Sequence, residues 1–309
     1  DITRPVPNEL FLMPLVKELL SIGVKLENIL ILIATGLHRS NTGSELNELI
    51  RDPWILNNVR IENHDACDDQ SHMYLGDTRT SNVPVLIDCR FVQADIKIVT
   101  GLVEPHFMAG YSGGRKVVVP GICHHKTIRT LHASRFMDNP CSRPCNLHQN
   151  PLHDEQVEII RMLNCEIFGL NTVLSEDRKL LFASFGDIIE SHIVAVKAAR
   201  SSCEVLVSQQ YKTLLTSAAG YPLDATYYQT IKGMVTPLDI LEKNGTLIIV
   251  SECSEGFGSM AFRKSQGRLI ELGRHAFSDE LKAKPLADVD EWQTAMQMKT
   301  MAVGDIKLY

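Results

Sequence analysis

The sequence lacks the features that would mark a membrane or nucleic-acid-binding protein. Its apolar runs reach strand length and stop short of the roughly 20 residues that a spanning helix needs. A net charge of −6 gives no general attraction to nucleic acid or to anionic membranes, although a local basic pocket can persist inside an acidic protein. No targeting signal is recognisable. The eight cysteines are scattered at 67, 89, 123, 141, 145, 165, 203 and 253. Only Cys141 and Cys145 lie close together, and no second close pair exists to complete a four-cysteine zinc site. They read as reduced cytosolic thiols, most of them in the core. Internal repeats and low-complexity runs are also missing, as are two nucleotide signatures. GGRK lacks the four-residue spacing and the following Ser or Thr of a Walker A loop, and GYSGG does not form GxGxxG. Ordinary use of ATP or NAD is therefore disfavoured.

What remains is a globular composition: 309 residues, 44% hydrophobic and 22% charged, enough for about two domains. The opening DITRPVP reads as the loop after a strand that precedes this sequence. A helical pattern from Glu9 to Ile22 is followed by the apolar run Ile29 to Ala34 and the turn Thr35-Gly36. A second helix is expected over Gly43 to Arg51, then the stretch Val59 to Asp65 and strands at Pro84 to Asp88 and Ile96 to Thr100. Residues 138–156 read as loop, with a helix from Asp154 to Leu163 after it. Glu166 to Leu174 and Lys179 to Gly186, separated by SEDR, pattern as a hairpin. A helix over Ile188 to Ala199, a strand Cys203 to Ser208, a helix around Gln229 to Glu242 and a strand Gly245 to Ser251 open a second unit. Short apolar strands alternating with helices predict two α/β domains with mostly parallel sheets, residues 1–190 and 191–309. Ligands gather at the carboxyl ends of such strands, so the active site is expected in the crevice between the domains.

The segment from Val103 to His132 carries the most chemistry. It reads VEPHFMAGYSGGRKVVVPGI and then TIRTLH, with His106, Lys116 and His132 around a glycine-rich turn. Gly110, Gly113 and Gly114 permit positive φ and close approach to a ligand; their N–H groups, with Arg115 and Lys116, suit a phosphate. Lys116 serves either as a phosphate-binding charge or as a point of covalent cofactor attachment. His38 in ATGLHR and His106 in VEPHF each follow a buried strand, so two neutral imidazoles can act as paired acid and base. The histidines at 64, 72, 124, 125, 148, 153, 192 and 275 fall into no usable arrangement, and HDACDD and HMYLGD read as solvated loops rather than metal sites.

At these residues the chain resembles the lactate racemase family, enzymes that carry a nickel-pincer nucleotide. The resemblance runs from end to end: DITRP, ATGLHR, VEPHFMAGYSGGRK, TIRTLH, NPLH, YYQTIKG and EW occur in order. It implies that Lys116 is covalently attached to a Ni(II) pyridinium-3-thioamide-5-thiocarboxylic acid mononucleotide, with Gly113, Gly114 and Arg115 as further cofactor contacts. His132 is implied as the protein ligand to nickel, an acceptable imidazole donor for a square-planar ion. His38 and His106 look like the catalytic bases, one for each enantiomer. Arg4, Gln229 and Lys232 look like the group holding the substrate carboxylate, and Asp1 and Trp292 like pocket neighbours. Gln229 and Lys232, three residues apart, share a face if that stretch is helical. The continuation HRSNTGSEL is looser than the family's HRPMT-like form.

The implied activity is racemisation or epimerisation of a 2-hydroxy acid such as lactate. It runs by proton-coupled hydride transfer to the tethered nucleotide through a 2-keto acid, in a cytoplasmic enzyme served by cofactor-maturation proteins. The alternatives are a nicotinamide-dependent 2-hydroxyacid dehydrogenase and a non-catalytic phosphate- or nickel-binding relative.

Overall fold

In the computed structural model, which describes residues 4–221 and 223–309, the chain divides into two compact units. The first is built from the chain up to Pro105, from Tyr111–Ile128 and from His153–Cys203; the second from His106–Gly110, Arg129–Leu152 and Glu204–Tyr309. The sequence pattern suggests one cut near residue 190. The chain instead visits the second unit twice, at His106–Gly110 and Arg129–Leu152, before passing to it at Glu204.

In the first unit, the helix Leu12–Ser21 tolerates Pro14 because the proline falls in its first turn, where no N–H bond is lost. Leu12 and Val16 pack with Phe11, Ile29, Ile50, Ile55 and Val59 into one core cluster. Burying each large apolar side chain stabilises by roughly 1.5–3 kcal/mol. The helix Pro53–Asn58 was not evident from periodicity. Its signal is the cap: Asp52 Oδ1 accepts from Trp54 N at 2.9 Å and Ile55 N at 3.0 Å, with Pro53 at the first helical position.

The strand Leu30–Ile33 pairs in parallel with Arg60–Asn63. Ile98–Leu102 pairs in parallel with Phe168–Leu174, which pairs antiparallel with Leu180–Asp187, the hairpin that the pattern predicts. A further strand, His72–Asp77, runs antiparallel to Pro84–Asp88. Its connection is too short for the crossover that parallel pairing requires. The first unit is therefore α/β with mixed pairing. The second is parallel throughout its sheet, in the order Tyr211–Ser217, Leu241–Val250, Gly304–Leu308.

Several local expectations need correction. The helix Ile188–Cys203 runs through the start of the proposed strand Cys203 to Ser208, and the strand is the next apolar run, Tyr211–Ser217. Val205 is 84% and Leu206 100% exposed, so that short run meets no partner. The helix at 229–242 ends at Val235, just before Pro237, and Leu241–Val250 is already strand. The helix after the 138–156 loop begins earlier, at Pro151, with Asn150 Oδ1 accepting from Leu152 N. Of the cysteines only Cys123 is buried; the others sit in loops, near strand starts or at helix ends and are partly or fully exposed. No helix among the described residues is long and apolar enough to cross a membrane.

Candidate functional site

The strand Ile98–Leu102 delivers the chain to the glycine turn of the first unit. Ser112 holds that exit: its hydroxyl donates to Leu102 O at 2.7 Å, and its N–H donates to Glu104 O at 2.9 Å. Gly113 and Gly114 then take φ of +74° and +49°. A Cβ at Gly113 would lie 2.6 Å from Val103 Cγ2, and one at Gly114 would lie 2.6 Å from His192 Cβ. The Gly114 N–H donates to Asn171 Oδ1 at 2.8 Å, and Asn171 Nδ2 donates to Ser191 Oγ at 3.1 Å. The glycines are thus required by the protein's own packing, and the Gly114 amide offered to a phosphate on sequence grounds is taken by Asn171. Lys116 follows, half-buried, in the short helix Arg115–Val118.

Arg115 faces inward. Its guanidinium is fully buried, with Nη1 at 3.2 Å from Tyr111 O and 2.9 Å from His192 Nε2. Desolvation pushes Arg115 down to about 9, still cationic at neutral pH. Burial and then the nearby Arg115 push His153 down to about 3 and hold His192 well below the usual histidine range. Both imidazoles are neutral at pH 7, which lets them sit beside the arginine without like-charge repulsion. Arg115 is therefore placed as an internal brace of the turn rather than as a charge offered to a phosphate.

His38 lies exposed in the turn after Leu30–Ile33, its N–H donating to Thr35 O at 2.9 Å. Arg4, expected to meet a substrate carboxylate, is ion-paired with Glu104. Asp1 lies outside the described residues. In the second unit, His106 is half-buried and stacked on Phe107 with ring centroids 4.9 Å apart. Its Nδ1 accepts from Met108 N and Ala109 N at 3.4 and 3.2 Å, which places the neutral ring's proton on Nε2.

Also in the second unit, three distant motifs meet. The His132 ring lies 4.6 Å from that of Trp292, whose indole N–H donates to Tyr228 Oη at 3.3 Å. Trp292 is held by the start of its helix: the buried Glu291 accepts from Lys284 Nζ at 2.6 Å and from Asp288 N at 3.0 Å. Thr226 caps the helix Tyr227–Val235 by accepting from Gln229 N at 3.3 Å. Ile231, Met234 and Val235 are buried on that helix, Gln229 is half-buried and Lys232 exposed, so the pair stands one turn apart as the spacing predicts.

Tyr228, Glu104 and Asn171 are functional-site neighbours that the sequence does not single out. The first two lie inside the motifs VEPHFMAGYSGGRK and YYQTIKG, which is the only signal they carry; Asn171 carries none. His64, His72, His124 and His125, which form no usable arrangement in the sequence, are brought into ring contact beside Asp69 by the fold of the first unit. The solvated-loop reading of HDACDD and HMYLGD does not hold for those side chains.

Residues 1–143 match the model of the lactate racemase N-terminal domain, and residues 207–305 that of the lactate racemase C-terminal domain. Lactate racemase of Lactiplantibacillus plantarum is 36% identical over 270 residues, 85% of this chain and 61% of that protein. Lactate racemase of Thermoanaerobacterium thermosaccharolyticum is 33% identical over 320 residues, 100% of this chain and 73% of that protein. The chain thus spans 61% and 73% of the length of these two relatives. The structure of the lactate racemase apoprotein from T. thermosaccharolyticum superposes with a TM-score of 0.91 at 29% identity, over 100% of this chain and 72% of that one. A Thermotoga maritima protein of the same fold gives 0.69 at 16% identity. With both domain models and both relatives in agreement along its length, the chain belongs to the lactate racemase family.

Proposed function

We propose that this protein racemises a 2-hydroxy acid, with lactate as the first substrate to test. The observation that carries the reading is the meeting of His132, Trp292 and Tyr228 in the second unit, since it joins TIRTLH, EW and YYQTIKG, motifs far apart in sequence.

The side chains fit a tethered nickel-pincer nucleotide. Lys116 supplies a primary amine for covalent attachment from a half-buried position in a turn that cannot accept a Cβ, and His132 supplies an imidazole donor suited to Ni(II). When bound, that group supplies a reversible acceptor for the α-hydrogen and its electron pair. Arg115 and the Gly114 amide are engaged inside the protein, and Lys116 is the group of the turn that this reading assigns to the nucleotide.

The remaining chemistry belongs to the chain. The α-hydrogen of a 2-hydroxycarboxylate is too weakly acidic for a histidine to remove unaided, so inversion proceeds through the 2-keto acid. His38 and His106 exchange the hydroxyl proton on opposite faces, His106 through Nε2. Arg4, Gln229 and Lys232 hold the carboxylate while the keto acid turns, and their charge keeps it from escaping. Trp292 closes the apolar side beside His132. Cofactor-maturation proteins are the partners this reading requires.

The test is chiral analysis of L- and D-lactate, and of other single-enantiomer 2-hydroxy acids, with matured protein carrying an adduct on Lys116. Each of His38→Ala and His106→Ala should be severely impaired in both directions per folded, nickel-loaded site, because a reversible inversion uses both groups whichever way it runs. Near wild-type turnover in either variant removes the two-base mechanism. Absence of racemisation of every acid by adduct-bearing protein removes the function.

A further inference from the structure

One group in the first unit takes no part in that chemistry. His64, Asp69, His72, His124 and His125 come from two stretches of sequence and meet at one place. Asp69 Oδ1 accepts from His124 Nε2 at 2.8 Å, His124 Nδ1 accepting in turn from Lys126 N at 3.3 Å, and the side-chain polar atoms of Asp69, His124 and His125 all lie within 4.8 Å of one another. The rings continue from there: His124 to His125 at 4.2 Å, His72 to His124 at 5.0 Å and His64 to His72 at 5.1 Å.

Hydrogen bonding fixes the tautomers of the last pair. His72 Nδ1 is 2.8 Å from the carbonyl oxygen of Asp68, which can only accept, so Nδ1 carries a proton and the lone pair of the neutral ring is on Nε2. The Thr35 hydroxyl donates to the His64 carbonyl at 2.7 Å and therefore accepts from His64 Nδ1 at 3.2 Å, leaving a lone pair on His64 Nε2 as well. These two Nε2 atoms face each other 3.0 Å apart. Two lone pairs at that distance repel unless a shared proton or a metal ion lies between them, and either requires the two Nε2 atoms to face one another. Metal-ligating histidines are held in this way, with the other ring N–H given to a carbonyl or hydroxyl. Two imidazole nitrogens on one ion, each about 2.0–2.1 Å from it, stand roughly 3–3.4 Å apart, depending on the coordination geometry. The Asp69 side chain, 76% exposed, supplies an anionic donor and a path to solvent for a group whose His64 and His124 are buried.

We propose that His64, His72, Asp69 and His125 form a binding site for a first-row divalent cation of the zinc class, separate from Lys116 and His132, with His124 holding the Asp69 carboxylate through its Nε2–H. Imidazole nitrogen with one carboxylate is the donor set such an ion takes. The site joins the loop 64–72 to the start of the helix His125–Leu131. Thr35 ties it to the neighbouring turn, because the residue whose hydroxyl orients His64 also accepts the His38 N–H.

The test is titration of the chelator-stripped full-length chain with Zn²⁺ by calorimetry, and with Co²⁺ followed by its visible absorption. At least one equivalent per chain should bind, with the Co²⁺ spectrum of a nitrogen- and oxygen-ligated site. Asp69→Asn alters an exposed side chain and should fold normally, and His72→Gln keeps a polar group in place. Each should weaken Zn²⁺ at least tenfold, the scale on which losing even an outer-sphere partner registers. His132→Ala and Lys116→Ala should leave Zn²⁺ binding unchanged, which separates this result from any failure of the cofactor assignment. No Zn²⁺ binding to the stripped chain, or equal binding by Asp69→Asn and His72→Gln, overturns the proposal.

Discussion

Gly114→Ala tests whether the turn that carries Lys116 is set by packing inside the protein. The backbone at Gly114 has φ +49° and ψ −126°, a region L side chains rarely enter, and holding alanine there costs of order 1–3 kcal/mol. The added Cβ would also meet His192 at 2.6 Å from Cβ and 2.7 Å from Cγ. His192 cannot give way easily: it is buried, and its Nε2 is 2.9 Å from both Arg115 Nη1 and Ser112 O. Overpacking of this kind adds about 1–3 kcal/mol, so the whole effect is about 2–6 kcal/mol. Gly43 is the matched control. Its backbone is nearly the same, φ +57° and ψ −126°, but a Cβ there meets nothing within 4 Å. Gly43→Ala should therefore show the backbone cost alone. Urea unfolding of both variants reads the difference directly, and the midpoint of Gly114→Ala should lie clearly below that of Gly43→Ala. Equal midpoints would refute the claim that Gly114 is required by contact with His192.

Lys116→Ala should abolish the covalent adduct, whereas His132→Ala should keep the adduct and lose nickel; intact-mass spectrometry with metal analysis reads both. Arg4→Lys keeps the charge but loses the two-pronged guanidinium contact, so kcat/KM should fall roughly ten- to a hundredfold, and unchanged kinetics would place Arg4 outside the pocket. Acid should destabilise the first unit. His153 is held at about 3 when folded and returns to about 6.5 when unfolded, so protons bind the unfolded chain preferentially below pH 6.5, and stability is complete above that value and declines toward pH 3. By pH 5 this histidine alone costs about 2 kcal/mol, and His192 acts in the same direction. Urea midpoints at pH 7.5 and 5 should show the loss, and His153→Gln should reduce it.

The elements legible in the sequence are those whose burial pattern is local. The helix at 12–21, the strands at 30–33, 84–88 and 98–102 and the hairpin ending at Asp187 all show their apolar period or turn residues within a short window. The misplaced strand at 203–208 shows the limit. EVLV and YKTLLTS are both plausible strand sequences, and only the parallel register of Tyr211–Ser217 on Leu241–Val250 decides between them. His72–Asp77 was hidden for a related reason. HMYLGD alternates poorly and contains Gly76 at φ +107°, where the register with Pro84–Asp88 shifts.

The site divides along a different line. Residues proposed to meet a ligand carry rare chemistry in motifs, so His38, His106, Lys116 and His132 stand out from the sequence. Residues that position them are ordinary side chains whose role exists only through a distant partner. Asn171 matters because the Gly114 N–H lies 2.8 Å from it, and His192 because Gly114 leaves no room beside it. Arg115 shows why adjacency misleads: one residue before Lys116 in a glycine turn, it reads as a phosphate contact, yet its guanidinium points to Tyr111 O and His192 in the interior. A helix of only four residues, Arg115–Val118, turns successive side chains through about 100° each, so neighbours in sequence face different surroundings. The histidine cluster is the converse case. His64, His72, His124 and His125 have no common motif, and it is the fold of the first unit that sets the His64 and His72 Nε2 atoms 3.0 Å apart and gathers His124 and His125 at the Asp69 carboxylate.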